Sequence, residues 1–584
     1  MNRSLNRRDL LALLTAAPLA AQGVSTRNVR ALPRGKPSGL PFNARFTDVA
    51  KPAGLAHPVI YGDLETKKYI LETTGCGCAF FDYDNDGWMD ILVLNGTRLD
   101  GPPEGATNRL YKNRRDGTFA DVTSDAGLIK TGWASAVCVG DYNNDGFEDL
   151  FITYYGQNVL YRNNGNGTFT DVTAPAGLKS RVKRWGSGCT WVDYNRDGLL
   201  DLFVAHYMDF DPARAPVAGS NSNCTWKGLP VMCGPRGFPT VPPLLYRNNG
   251  DGTFTDVSAE SGIGKVRGSY ALTAVAADFD NDGWPDIYVA CDSTPSWMFR
   301  NRHDGTFREV GLETGVALND DGIEQAGMGL GIGDYNLDGS LDILKTHFAD
   351  DTSVLYKNDG HGMFDDVTNQ SGLAVETRYI SWGAGIVDLD NDGLPDLFIV
   401  TGNVYPEIEA KLPSYPMKSP RLLFRNLGQG KFEELLDQAG PAMKERHSSR
   451  GLAFGDFDND GDLDVLVINL NEQPSLLRND VTGSNHWLKV LLIGTTSNRS
   501  AIGAHVIAVY GGKRQAKAVM SQSSYLSAND RRLHFGLGVE KTATLEIRWP
   551  NGNEEKFADV AADQLVVIEE GKGVVRAEKF ARKT

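Results

Sequence analysis

Seven times the chain repeats a nine-residue pattern, D-x-[DN]-x-D-G-x-x-D, with side-chain oxygens at positions 1, 3, 5 and 9 and glycine at position 6. The first copy is Asp82, Asp84, Asp86 and Asp90 around Gly87. The others are Asp141, Asn143, Asp145 and Asp149; Asp193, Asn195, Asp197 and Asp201; Asp278, Asp280, Asp282 and Asp286; Asp334, Asn336, Asp338 and Asp342; Asp388, Asp390, Asp392 and Asp396; and Asp456, Asp458, Asp460 and Asp464. Oxygens at this spacing, with the carbonyl of position 7, supply the six or so ligands that Ca²⁺ accepts in a loose geometry, while the glycine lets the backbone double back. Mg²⁺, which demands a tighter octahedron, fits less well. Asp, Asn and Gly also build ordinary turns. Seven copies in one register argue against that reading, because carboxylates crowded into one small volume repel each other unless a cation balances them. An EF-hand is excluded by the flanks: position 9 runs directly into apolar strands such as Ile91 to Leu94, Leu150 to Ile152 and Leu202 to Val204, not into a helix. Up to seven Ca²⁺ are therefore expected. Asn143, Asn195 and Asn336 keep an oxygen but remove a charge, so their three loops are expected to bind more weakly.

The elements that must position these loops repeat with them. Successive first aspartates are 59, 52, 85, 56, 54 and 68 residues apart, a period in the range of propeller blades. In each unit a strand of small residues, such as Gly75 to Phe81, enters the loop and a continuous apolar strand leaves it. Two more strands follow across a Gly-rich turn, as in Leu160 to Val172. Four strands make one blade. The last unit stops at Asp480 without its Thr-Phe-x-Asp-Val strand, and the missing strand stands at the other end as Phe46 to Val49. The expected fold is all-β: a seven-bladed propeller over residues 42–482, closed by its N-terminal strand so that no edge is left open. Phe119, Phe169, Phe254, Phe307, Phe364 and Phe432 recur at one place in each unit and are expected in the core between blades. After Gly483 the loops cease and strands such as His486 to Ile493 and Thr544 to Trp549, with the hairpin signal Asn551-Gly552, indicate a small β-sandwich over 483–572, leaving 573–584 as a tail.

Two spacings are long. Residues 207–243 form a Pro- and Gly-rich insertion containing Cys224 and Cys233, which an exported chain can join as a disulfide. A second excursion, Gly402 to Pro420, lengthens another loop. Cys76, Cys78, Cys138, Cys189 and Cys291 lie in or beside crowded strands and read as small apolar residues rather than a soft-metal site. His57, His303, His361, His447, His486, His505 and His534 stand singly and read as structural or surface groups.

The chain begins with Arg3, Arg7 and Arg8 ahead of the apolar run Leu10 to Ala21, an export signal over residues 1–21 followed by a linker over 22–41. Arg7-Arg8 resembles a twin-arginine signal, with an ordinary secretory signal as the alternative. A periplasmic or extracellular location follows, and no segment is apolar and long enough for a membrane span. The net charge of −15 would be almost cancelled by one divalent ion per loop, and it disfavours nucleic acid as a partner.

The acidic loops with their Thr-Phe-x-Asp-Val strands resemble the FG-GAP/VCBS repeats of integrin α-type propellers. The tail, with His486-Trp487-Leu488, Ser524-Tyr525-Leu526-Ser527 and Arg548-Trp549-Pro550-Asn551-Gly552, resembles an ASPIC/UnbV domain. The combination is similar to the bacterial branch of the cartilage acidic protein 1-like family. That resemblance implies a secreted, calcium-loaded, two-domain protein and brings no defined reaction with it. Asn403 stands where the family pattern has His. Two functions compete. One is a scaffold that binds a protein or polysaccharide through its face loops, Ca²⁺ being structural. The other is a secreted polysaccharide lyase or hydrolase using loop residues His206, Asp209, Asp292, Glu324, His347, Asp350, Asp351, Tyr405 and Glu407. No nucleophile, zinc or nucleotide motif favours the enzyme.

Overall fold

The computed structural model describes residues 26–580; the expected export signal and the last four residues of the expected tail lie outside them. Seven four-strand repeats follow one another along the chain, five as separate antiparallel sheets and the second and third joined into one eight-stranded sheet where Arg184–Val192 pairs with Asp149–Gly156. In the first, Cys78–Phe81 runs into the acidic loop, Asp90–Val93 leaves it, and Arg109–Asn113 and Phe119–Asp121 form the outer hairpin. The other innermost strands are Ala134–Gly140, Arg184–Val192, Ala271–Ala277, Leu330–Gly333, Ser381–Val387 and Ser449–Gly455. They are rich in small residues because they crowd together at the centre. A Cβ added at Gly451 would lie 2.5 Å from the carbonyl oxygen of Cys76, which sets the seventh unit directly against the first. The fourth strand of that seventh unit is Phe46–Asp48, paired antiparallel with Ser475–Asn479, so the two ends of the ring are laced and an outer edge is covered.

Two sets of contacts fix each unit to its neighbour. The repeated phenylalanines pack on the aromatic at position 2 of the preceding acidic loop, as in Phe169 on Tyr83, Phe254 on Tyr142, Phe307 on Tyr194 and Phe119 on Phe457. An asparagine ending each third strand donates its side-chain amide to the backbone at the same place. Asn163 bonds Tyr83 O at 2.7 Å, Asn248 bonds Tyr142 O at 2.8 Å, and Asn113 closes the circle on Phe457 O at 2.7 Å.

Residues 26–45 contain no helix or strand, yet they are not a free linker. Arg27 bonds Asp351 at 2.8 Å and Arg34 bonds Glu434 at 2.5 Å, so this arm is held along the fifth and sixth units. Beyond residue 483 two four-stranded sheets face each other. Asn551 and Gly552 turn Thr542–Arg548 back into Glu554–Ala561. The expected tail is shorter than the sequence suggests: Gly573–Lys579 is a largely exposed edge strand paired with Gln564–Glu569. Among the described residues no helix is long and apolar enough to cross a membrane.

The C-terminal domain does not simply follow the ring. Its segment 519–532 enters the central channel and supplies hydrogen bonds to six of the seven innermost strands. Ser527 Oγ accepts from Cys78 N, Leu526 O from Val137 N, Gln522 Oε1 from Cys189 N, Ser524 O from Leu330 N, Ser524 Oγ from Ala384 N and Asn529 Oδ1 from Phe454 N. Inner strands of a ring expose backbone donors to the channel, and this plug satisfies them.

Candidate metal centres and the two faces of the ring

Each acidic loop joins an innermost strand to the second strand, so all seven loops stand at one end of the ring. Their geometry is common. The position-1 aspartate accepts from the N–H of the position-6 glycine, as Asp82 does from Gly87 at 2.8 Å. That glycine has φ of 86°, a left-handed turn closed to most side chains. The position-9 aspartate bridges the loop to the third strand: Asp90 accepts from Asn113 N at 2.7 Å and from Tyr83 N at 3.3 Å, and the other six copies likewise accept from the third strand. Burial raises the pKa of Asp90 to about 8, with the charges of Asp84, Asp82 and Asp86 adding to it. Asp460 is likewise raised to about 8 by burial and by the neighbouring carboxylates.

The loops divide into two kinds. In the four all-Asp loops, three carboxylates in each present oxygens within 4.8 Å of one another: Asp82, Asp84 and Asp86; Asp278, Asp280 and Asp282; Asp388, Asp390 and Asp396; Asp456, Asp458 and Asp460. One buried oxygen of Asp84, of Asp278 and of Asp388 has no hydrogen-bond donor. A buried carboxylate oxygen without a donor is costly, and a hard cation supplies the missing partner, so the residues present fit Ca²⁺. In the three remaining loops the asparagine closes the gap. The amide of Asn143 donates to Asp145, that of Asn195 to Asp197 and that of Asn336 to Asp338, each at 2.8 Å. Among the described residues, no buried ligand-position oxygen in these three loops is left without a donor.

Basic side chains approach the all-Asp loops as well. Lys112 and Arg115 reach Asp84 and Asp86 in the first; Arg300, His303 and Arg548 reach Asp280, Asp282 and Asp278 in the fourth; Lys489 reaches Asp456 in the seventh. His303, expected to be a bystander, thus belongs to a loop. Arg548 and Lys489 come from the C-terminal domain, which sits on this face. Gly536 lies so close that a Cβ there would be 1.8 Å from an oxygen of Asp388, and His534 bonds Asn391 at 2.7 Å. As a result the carboxylates of the sixth and seventh loops are buried, whereas those of the first are half-buried.

The opposite end of the ring carries the connections from second to third strands, including both long insertions. Cys224 and Cys233 form a disulfide in the larger one. This insertion reaches across the face. Trp226 packs edge-on against Phe348 and Tyr415 and at a tilt against Tyr405; Lys227 pairs with Asp350 at 2.6 Å, and Arg236 pairs with Glu324. Several residues considered for catalysis have partners, whereas the ring nitrogens of buried His347 and Oε2 of Glu407 have no hydrogen-bond partner. Asp292 accepts from Tyr207 at 2.5 Å and Ser293 at 2.8 Å, Asp351 from Arg27 at 2.8 Å, and His206 contacts Pro242 O at 2.8 Å. Asp209 faces Arg214 at 3.6 Å on the surface. Buried His347 and Tyr405 lie in the core beneath the insertion and Glu407 is half-buried at its margin. Tyr207, Lys345 and Arg450 are buried near them and were not singled out from sequence. Arg450 stacks on Trp382 at 4.1 Å and bonds the backbone carbonyls of Thr73, Ser449 and Asn403. Cys76 and Cys78 are fully buried thiols, Cys78 with its pKa raised to about 12 by burial, which fits packing rather than metal or redox chemistry.

Strand order and acidic hairpins together define a β-propeller with acidic, cation-compatible loops. The FG-GAP-like repeat family matches residues 82–152, 141–204, 241–289, 278–345, 334–399 and 418–467, and the ASPIC and UnbV family matches 494–575. The chain belongs to the FG-GAP-like repeat family and carries an ASPIC and UnbV domain. It is similar to cartilage acidic protein 1 of Xenopus tropicalis, 24% identical over 82% of this chain and 70% of that protein. The mouse protein of that name is 24% identical over 84% and 73%. With the human protein the identity is 27% over 51% of this chain, and the match spans 43% of the human sequence. Among solved structures it overlaps an Agrocybe aegerita lectin described as recognising non-reducing terminal N-acetylglucosamine, with TM-score 0.36, 16% identity, and coverage of 71% of this chain and 88% of the lectin. A Bacillus licheniformis rhamnogalacturonan lyase overlaps with TM-score 0.34, 14% identity, and coverage of 75% and 76%. Neither score bears on ligand or reaction.

Proposed function

We propose that this protein is an exported, calcium-binding propeller scaffold that takes a protein or polysaccharide partner through the loops of its insertion-bearing face, with Ca²⁺ in a structural role. The observation that carries the metal assignment is the set of converging carboxylates with donorless buried oxygens in the all-Asp loops. Bound ions would hold each hairpin and, because they bind only the folded ring, add stability by mass action. The choice of face rests on the C-terminal domain, which covers the acidic loops and fills the channel and so leaves the insertions as the accessible loops.

The alternative, a polysaccharide lyase or hydrolase, has the short Tyr207 to Asp292 hydrogen bond in its favour. Against it, the carboxylates of Asp292, Asp350 and Asp351 are each engaged by neighbouring side chains, and His347 and Tyr405 are buried. Metal-loaded protein should be screened against a glycan array and a panel of exported proteins, scoring binding and product together. Binding without product is expected. New reducing or unsaturated ends would favour the enzyme, and no binding to any member would contradict the scaffold.

A further inference from the structure

A strongly acidic chain contains, on its insertion-bearing face, a cavity of about 290 Å³ with the opposite electrical character. Its wall carries five cations, Arg34, Arg378, Arg421, Lys444 and Arg446, against Glu376, Glu434 and Asp437. Glu376 and Glu434 are already used: Arg378 bonds Glu376 at 2.8 Å, and Arg34 bonds Glu376 at 3.2 Å and Glu434 at 2.5 Å. Arg421 is different. It is 4% exposed, its two terminal nitrogens donate to Ala442 O and Ser475 Oγ, and its Nε has no acceptor. Glu445 pairs with it at the long distance of 3.9 Å, and the charges of Asp48 and Glu472 also favour its cation. Burying a guanidinium whose ion pair is this long is expensive, and an unpaired buried donor adds to the cost. Lys444 and Arg446 stand exposed at the rim.

The surroundings narrow the class of anion. Leu422, Leu435 and Met443 form an apolar side to the cavity, which suits a ring with one hydrophobic face. Guanidinium forks match planar carboxylates, and the rim cations suit further acidic units of the same chain. The docked arm contributes Arg34, so the wall is assembled from the arm, the fifth-to-sixth connection and the sixth-to-seventh connection. We propose that this cavity binds a uronic acid unit of an acidic polysaccharide, its carboxylate meeting Arg421 and Arg446. The inference rests on the reading of this face as the partner-binding one and names the ligand chemistry for it.

The test uses full-length, metal-loaded protein in calorimetric titrations with D-glucuronate, polygalacturonate, neutral maltodextrin, inorganic phosphate and a poly-glutamate peptide. Saturable binding of glucuronate and polygalacturonate is expected, weakening as salt is raised, with maltodextrin inert. The double variant Lys444→Ala, Arg446→Ala changes exposed groups that hold no part of the fold, and it should weaken both ligands by about tenfold or more; Arg421→Lys should do so with its melting temperature checked in parallel. Failure of the wild type to bind either acidic sugar would overturn the proposal. So would equal affinity for phosphate or poly-glutamate. Binding of the polymer unaffected by the variants would also overturn it, while leaving the partner-binding reading of the face intact.

Discussion

The all-Asp loops and the Asn-containing loops have the same backbone, the same glycine and the same position-9 bridge, and they differ in one atom pair. In the loop beginning at Asp82, an oxygen of Asp84 lacks any donor, whereas in the loop beginning at Asp141 the amide of Asn143 fills the equivalent gap. Replacing a carboxylate oxygen by an NH₂ group removes a charge and installs a donor. One kind of loop thus keeps a buried carboxylate oxygen without a donor, and the other fills the gap itself. Seven similar hairpins therefore need not act as seven similar sites.

The largest separation between the two kinds should come from removing the metal. A site held at a hundred times its Kd adds about 2.7 kcal/mol, and four together should make excess chelator lower the melting temperature by roughly 10 °C or more. An unchanged melt would remove structural metal from consideration. Chelated protein should also show a pH dependence of defined sign. The folded chain holds Asp90 and Asp460 protonated up to about 8, whereas unfolded aspartates have lost their protons well below that. A raised carboxylate pKa contributes stability that is lost as the pH climbs, so the chelated melt should fall from about pH 5 to 8. The loaded protein should vary less over that range.

Single substitutions give the next largest contrast. Asp86→Ala removes a loop carboxylate and the partner of Arg115 at 2.8 Å, and it should cost about 2–3 kcal/mol in calcium. Asn143→Ala should cost under about 1 kcal/mol. Equal losses in parallel denaturation curves would erase the distinction. The smallest effect is the most specific: Asn143→Asp rebuilds the all-Asp pattern and should add one tight site by calcium titration, raising the loaded melt by only about 2–3 °C.

Much of the ring was legible because its parts are local. All candidate ligand side chains of a loop fall within nine residues, and the strand entering and the strand leaving it announce themselves by small and apolar runs. The strand missing after Asp480 and surplus at Phe46 located the lacing. The asparagines at 113, 163, 248 and their equivalents also repeat in sequence, but their partners lie in the preceding unit, so spacing alone showed recurrence without role. The plug was least legible. Ser527 meets Cys78 from 449 positions away, and nothing in its own neighbourhood marks it as a channel filler. The same distance hid the burial of the sixth and seventh loops beneath the C-terminal domain, and the engagement of Asp292 and Asp350 by the insertion.

The most direct measurement is a calcium titration of the chelated and repurified protein, followed by native mass spectrometry and calorimetry together. Four tight sites are expected, with three more filling only at distinctly higher calcium and those three unaffected by Asp86→Ala. Seven sites of equal affinity, or none, would contradict the division between the loops.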